Sequence, residues 1–449
     1  MKGTDIMRAR NYRQLGLAVA GLLFLAGPAW AVPSFARQTG LPCNACHTTP
    51  PELTALGRQF KLDGYTLSTA KQITAPAKGN TSGLQLAASL PISVMFQIAD
   101  SFMNTVPAGT QNGDIEFPQQ LSLFLAGAWS SNVGSFLQVT YSGAGDHFSI
   151  DNTDIRYARQ SMWGNTPVAW GLDFNNNPTV EDLWNDTPAW GFPWISSDVA
   201  PAPAAGALID GGLAQDVGGV GAYAMFNNHF YVDGTLYRSM HVGAIPPTSA
   251  NAINIDGAAP YGRVAWQQQV GKNTLFEIGG YGMYVRDFPL AVSGAYDSTR
   301  DLAVDFSLDQ TIGANQWSLY ATDIFEHSTL TASMAAGLAG LIPHHLNTGR
   351  IDTTYHWGDR YSATVGVFST SGTSDPVLYA PTAVSGSASG SPQSSGYVLQ
   401  AGYWPWQNIN FTLQYTGYWR FNGGSTNYDG SGRNATGNNS VYLAGWFIF

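Results

Sequence analysis

Two thiols three positions apart with an imidazole directly after them, Cys43-Asn44-Ala45-Cys46-His47, can attach a c-type haem. The cysteines add across the two porphyrin vinyl groups, and the histidine reaches the iron from the proximal side. The competing reading is a disulfide or a chance C-x-x-C. Against it, these are the only cysteines in 449 residues, they follow closely on an export signal, and the histidine is in place. One covalent haem c is expected, held by Cys43 and Cys46, with His47 as the proximal iron ligand.

The element that must position this motif is short. Residues 1–31 read as a signal peptide: Lys2, Arg8, Arg10 and Arg13 precede an apolar run from Leu15 to Ala26, and Ala29-Trp30-Ala31 offers a cleavage site before Val32. A haem segment over 32–65 and a polar connector over 66–83 follow. Thr49-Pro50-Pro51-Glu52 has the form of a capping box, predicting a helix over about 51–63 that stops at Gly64. Arg58 and Lys61 on that helix are candidate partners of the haem propionates. Thirty-odd residues without a disulfide bury too little to fold alone, so the segment must dock on the rest of the chain. It contains no second histidine and no methionine, so a sixth iron ligand, if it is a side chain rather than water or a vacant site, must come from elsewhere.

Removing the signal leaves 16 basic against 29 acidic residues, a formal charge of −13, which excludes a nucleic-acid binder and suits small cationic ligands. Only 11% of residues are charged while 13% are aromatic, yet no later run of about 18 apolar residues exists. Sparse charge without long apolar runs fits a transmembrane β-barrel, in which alternate residues face lipid. A large secreted β-sandwich or propeller is the competing class. Residues 84–449 hold about sixteen strand-like runs, the first over 84–100 and the last over 439–449, and turns such as Gly271-Lys272 and Gly313-Ala314 alternate with long loops. The fold class is therefore all-β: a 16-stranded outer-membrane barrel, with the small helical haem segment docked in it or at its periplasmic mouth. The terminal Phe449 resembles an outer-membrane assembly signal.

Strand parity separates the faces. In 300–311, Leu302, Val304, Phe306 and Leu308 oppose Asp301, Asp305, Ser307 and Asp309; in the first strand Ile92, Val94 and Phe96 oppose Ser93, Met95 and Gln97. Trp266 and Trp357 face outward near strand ends. Met95, on the inward side, is the candidate sixth ligand, since a thioether raises the haem potential; His229 and His356 are alternatives. The third long loop, 176–215, carries Glu181, Asp182, Asp186 and Asp198 beside Trp184, Trp190 and Trp194, and predicts an inward-folding, carboxylate-lined constriction that concentrates cations.

The stretches Phe35-Ala36-Arg37-Gln38-Thr39-Gly40, Cys43-Asn44-Ala45-Cys46-His47, Pro51-Glu52-Leu53-Thr54 and Gly57-Arg58-Gln59-Phe60-Lys61-Leu62-Asp63-Gly64-Tyr65 resemble the fused monohaem cytochrome–porins of iron-oxidising bacteria. The resemblance implies an outer-membrane iron oxidase: ferrous ion as donor, haem c as cofactor, a periplasmic carrier such as a soluble cytochrome as acceptor, and outer-membrane lipid around the barrel. The alternatives are a diffusion porin with a structural or sensory haem, and a conduit carrying electrons outward.

Overall fold

The computed structural model describes residues 33–67, 90–240 and 253–449. The export signal, most of the 66–83 connector and residues 84–89 of the expected first strand lie outside them.

Alternating sequence becomes a closed antiparallel barrel of sixteen strands. They are β1 (Ile92–Met103), β2 (Glu116–Ala128), β3 (Val133–Ser142), β4 (His147–Trp163), β5 (Thr166–Asn175), β6 (Val217–Phe226), β7 (Phe230–Ser239) and β8 (Ala259–Val270). The second half comprises β9 (Thr274–Asp287), β10 (Asp297–Ile312), β11 (Asn315–Thr329), β12 (Pro343–Trp357), β13 (Tyr361–Gly372), β14 (Ser394–Trp406), β15 (Ile409–Arg420) and β16 (Ser440–Ile448). The barrel closes between β1 and β16, where Met95 lies opposite Ile448. The chain's last residue completes the seam: Val94 N–H donates to the Phe449 oxygen at 3.0 Å and Phe449 N–H to the Val94 oxygen at 2.8 Å. Closure leaves no unpaired sheet edge, which lets strands cross a bilayer.

The predicted faces hold. On β10, Leu302 and Val304 are exposed while Asp301, Asp305 and Ser307 are buried; on β7, Phe230 and Leu236 are exposed while Tyr231 and Thr235 are buried. Exposed aromatics cluster towards the strand ends, Trp163, Trp266, Trp357 and Trp406 at one end and Phe117, Phe148, Phe325 and Trp419 at the other. An apolar outward band between aromatic girdles is the surface of a membrane-spanning barrel of the outer-membrane type. No helix among the described residues is long and apolar enough to cross a membrane. Turns of two to four residues, such as 313–314 and 358–360, join strands at one end, and long loops at the other. One connection at the long-loop end is also short, 143–146, because β4 begins at His147 rather than near 151.

Two chain segments occupy the lumen. The loop over 176–216 folds inward: Arg156 Nη2 donates to the Glu181 carbonyl at 2.7 Å, Gln414 Nε2 to the Ile195 carbonyl at 2.6 Å, and the Ile209 amide to Asp301 Oδ2 at 2.7 Å. It thus touches β4, β15 and β10 in turn, and its Ile209 and Leu213 pack with inward tyrosines 237, 261 and 281. The N-terminal segment lies towards the short-turn end, where Asn44 Nδ2 donates to Asp359 Oδ1 at 2.6 Å.

Candidate haem site

The N-terminal segment forms three short helices: α1 (Ser34–Thr39), α2 (Cys43–Cys46) and α3 (Ala55–Leu62). The helix expected from 51 starts four residues later. Thr49 and Pro50 each precede a proline, which disfavours helical backbone there. Thr54 caps instead: its Oγ1 accepts from the Gly57 amide at 3.2 Å and donates to the Ala45 carbonyl at 2.6 Å. Glu52 serves the loop, accepting from Thr48 Oγ1 at 2.8 Å. The expected stop holds, with Gly64 following the C-cap in the left-handed region at φ +69°.

Gly57 fixes how the helices meet. A Cβ there would lie 2.1 Å from the Cys46 carbonyl oxygen, so only glycine lets α3 rest on the C-x-x-C turn. Around this contact the segment is anchored to the barrel and the inward loop. Arg58 Nη2 pairs with Asp309 Oδ2 at 2.6 Å, and Tyr65 Oη donates to Asp154 Oδ2 at 2.6 Å. Lys61 Nζ donates to the main-chain oxygens of Val180 at 2.6 Å and Asp182 at 2.8 Å. Phe35 packs edge-on against Phe60 and stacks on Tyr65, with ring centroids 5.0 and 5.5 Å apart. Arg58 is thereby committed to a carboxylate, whereas Lys61 stays on the chamber wall that the motif faces.

That chamber encloses about 1360 Å³ of space, its open mouth included. Cys43, Cys46 and His47 line it together with Phe35, Leu41, Leu53 and Phe60 of the same segment. The barrel contributes Phe124, Phe136, Trp404, Trp446 and Ile448, and the inward loop Asn185, Ala189 and Trp190. Its rim carries the exposed Pro42 and Gln407 at the short-turn end.

The residues present fit a c-type haem. Both thiols are free and sit on one turn of α2. Burial, then the neighbouring Cys43, pushes the Cys46 thiol up to about 11, and burial raises Cys43 too, the opposite of an activated redox C-x-x-C. His47 Nδ1 lies 3.2 Å from the Glu52 carbonyl oxygen, which fixes that nitrogen as the N–H and leaves Nε2 as the free lone pair. Burial holds the imidazole below its ordinary pKa, hence neutral and able to ligate.

The other sequence-derived candidates are placed as follows. Met95 faces inward and is 1% exposed, in an apolar cluster with Phe124, Ala126 and Trp446 behind the chamber wall. Its sulfur accepts from Gln97 Nε2 at 3.7 Å. His356 Nε2 lies 2.9 Å from Thr49 Oγ1, and His229 sits at the β6–β7 turn with Nδ1 3.0 Å from the Gln267 oxygen. The loop carboxylates do not line an open entrance as expected. Glu181 accepts from Thr235 and Tyr237, and Asp182 and Asp186 flank the buried Arg263 at 3.7 and 3.2 Å. Inward hydroxyls and the Arg263 guanidinium beneath the loop draw these acids into the wall; of the four, only Asp198 remains exposed. Trp404 and Trp446 were missed as chamber residues. The inward series Tyr442, Ala444, Trp446 carries the signal for the second of them.

No family model matches the chain, and no curated protein sequence matches it. Among solved structures, it is similar to the outer membrane channel DcaP of Acinetobacter baumannii at 10% identity and TM-score 0.46, covering 84% of this chain and 100% of that one. The anion-selective porin from Comamonas acidovorans gives 11% identity and TM-score 0.45, over 80% and 98% of the two chains. The in-vitro folded OmpT of Vibrio cholerae gives 8% and 0.41, over 80% and 96%.

Proposed function

We propose that this protein is an outer-membrane c-type cytochrome–porin fusion that oxidises ferrous ion arriving from outside and passes the electron to a periplasmic carrier. The observation that carries the reading is a C-x-x-C-H turn facing an apolar chamber inside a barrel, with His47 Nδ1 already held by a main-chain oxygen. Haem c, when bound, supplies a one-electron couple within reach of the pore. Cys43 and Cys46 would hold it covalently and His47 would ligate its iron. The aromatic walls exclude water and favour the less charged, reduced iron, which suits an oxidant of ferrous ion. Met95, in the apolar cluster behind the chamber wall, is the candidate for the sixth position.

A single haem cannot bridge a hydrocarbon layer of about 30 Å, so the donor must enter the barrel from the long-loop side. A periplasmic acceptor such as a soluble cytochrome would meet the chamber at the Pro42–Gln407 rim. With short turns periplasmic, as in outer-membrane barrels generally, that rim faces the periplasm. The inward loop and the docked segment both occupy the lumen, an arrangement that favours electron transfer over solute diffusion.

The test is anaerobic stopped-flow mixing of the oxidised, purified protein with ferrous ion while the reduced-haem α-band is followed. Rapid reduction that is lost in His47→Ala is expected. An unchanged spectrum in a protein whose haem dithionite still reduces would overturn the ferrous-donor reading.

A further inference from the structure

On the outer face, at the long-loop end, an open groove runs across β10, β11 and β12, lined by Arg300, Leu302, Phe325, Glu326, His327 and His345. Strand register sets the three basic residues side by side: Arg300 lies opposite His327, and His327 opposite His345. Neighbouring strands are about 4.8 Å apart, so the row spans roughly 10 Å, a distance that a long guanidinium arm and one bridging anion close. The imidazoles already meet, with their Nδ1 atoms 3.2 Å apart. One Nδ1 donates to the other, which leaves the two Nε2 atoms to face a ligand. Arg300 is exposed and enters no ion pair among the described residues. Glu326 is engaged inward, its Oε2 accepting from the Leu208 amide at 2.7 Å and its Oε1 from Ser328 Oγ at 3.3 Å. The one outward carboxylate on these three strands, Asp323, lies four residues deeper than His327 and accepts from Asn347 Nδ2 at 2.6 Å. An acidic protein thus presents an unbroken basic row at this place.

The depth of the row decides what it meets. Phe325 belongs to the aromatic girdle at the long-loop end, and His327 is the next outward position, about 7 Å further from the hydrocarbon. Leu302 and Arg300 stand in the same order on β10. That is headgroup depth in the leaflet on the long-loop side, which in an outer membrane is the glycolipid leaflet with its phosphorylated headgroups. Guanidinium and imidazole N–H groups give phosphate oxygens charge-assisted hydrogen bonds, and arginine takes phosphate through two of them. We propose that Arg300, His327 and His345 bind a phosphate group of an outer-leaflet glycolipid whose acyl chain lies on the exposed Leu302 and Phe325.

Detergent-solubilised full-length protein is titrated with diphosphoryl lipid A, and bound lipid is counted by native mass spectrometry. One tightly held lipid per chain is expected, with affinity about tenfold weaker in Arg300→Gln and in the double variant His327→Gln/His345→Gln, since each loses charge-assisted bonds to phosphate. Arg159→Gln, exposed near the short-turn end, should leave the affinity unchanged. Heat-modifiable migration on gels certifies that each barrel is folded. Equal affinity for lipid A stripped of its phosphates, or no loss in either variant, would overturn the proposal. Inorganic phosphate bound as tightly as the lipid would reassign the row to a free anion, and Zn²⁺ held by the histidine pair in place of the lipid would reassign it to a metal; either result overturns the lipid site.

Discussion

Lys61 Nζ donates to the main-chain oxygen of Asp182 at 2.8 Å, tying the helix behind the haem motif to the loop that crosses the lumen. Burial, then the charge of Arg156, lowers the ammonium to about 8 from its ordinary 10.5. Between these values the undocked segment carries a proton that the docked one lacks, so docking strengthens as pH rises through 8. A neutral amine still donates both hydrogen bonds. The full effect is on the order of 3 kcal/mol. Above about pH 10 Tyr65, whose phenol burial holds well above its ordinary value, reverses the trend by staying protonated only when docked. Thermal undocking followed by Soret circular dichroism should therefore shift upward from pH 8 towards pH 10 in the native protein and stay flat in Lys61→Met.

Arg58 and Asp309 form a 2.6 Å ion pair whose side chains are 4 and 16% exposed. Removing one partner of a buried pair costs about 3–5 kcal/mol, because the other charge is left stranded. Arg58→Ala should raise amide exchange across Ala55–Leu62 by about 100-fold, taking the lower bound and about 1.4 kcal/mol per tenfold. Arg58→Met combined with Asp309→Leu should return most of that protection. Equal exchange in both variants would mean that side-chain volume, not charge, holds the helix.

Gly57→Ala forces a methyl to within 2.1 Å of the Cys46 carbonyl oxygen, and main chain cannot yield as a flexible side chain does. The helix must lift from the C-x-x-C turn, moving His47 from its anchor at Glu52. Expected is a fall of at least tenfold in covalently attached haem, read by haem stain on denaturing gels, with the barrel still heat-modifiable. A normal haem yield in Gly57→Ala would show that α2 and α3 need not touch.

Much of this protein was legible in its sequence because the signals are local. Period-two alternation sets Leu302 and Val304 against Asp301 and Asp305 whatever else the chain does, and lipid outside with a lumen inside satisfies both faces. The C-x-x-C-H spacing and the Gly64 stop are equally local. The capping box failed for a local reason too, since two prolines outweighed a favourable hydroxyl and carboxylate.

What the sequence by itself determined was the strand count, the alternating faces of strands such as β10 and the C-x-x-C-H spacing. Only the tertiary structure decided where charge and volume meet across hundreds of residues. It set Arg263 beneath Asp182 and Asp186, turning an expected acidic entrance into a buried network. It brought Trp404 and Trp446 to Cys43, and Glu52 to Asp352. Such pairings depend on which strands become neighbours and how two inserted segments share one lumen, and periodicity along a strand carries no record of either.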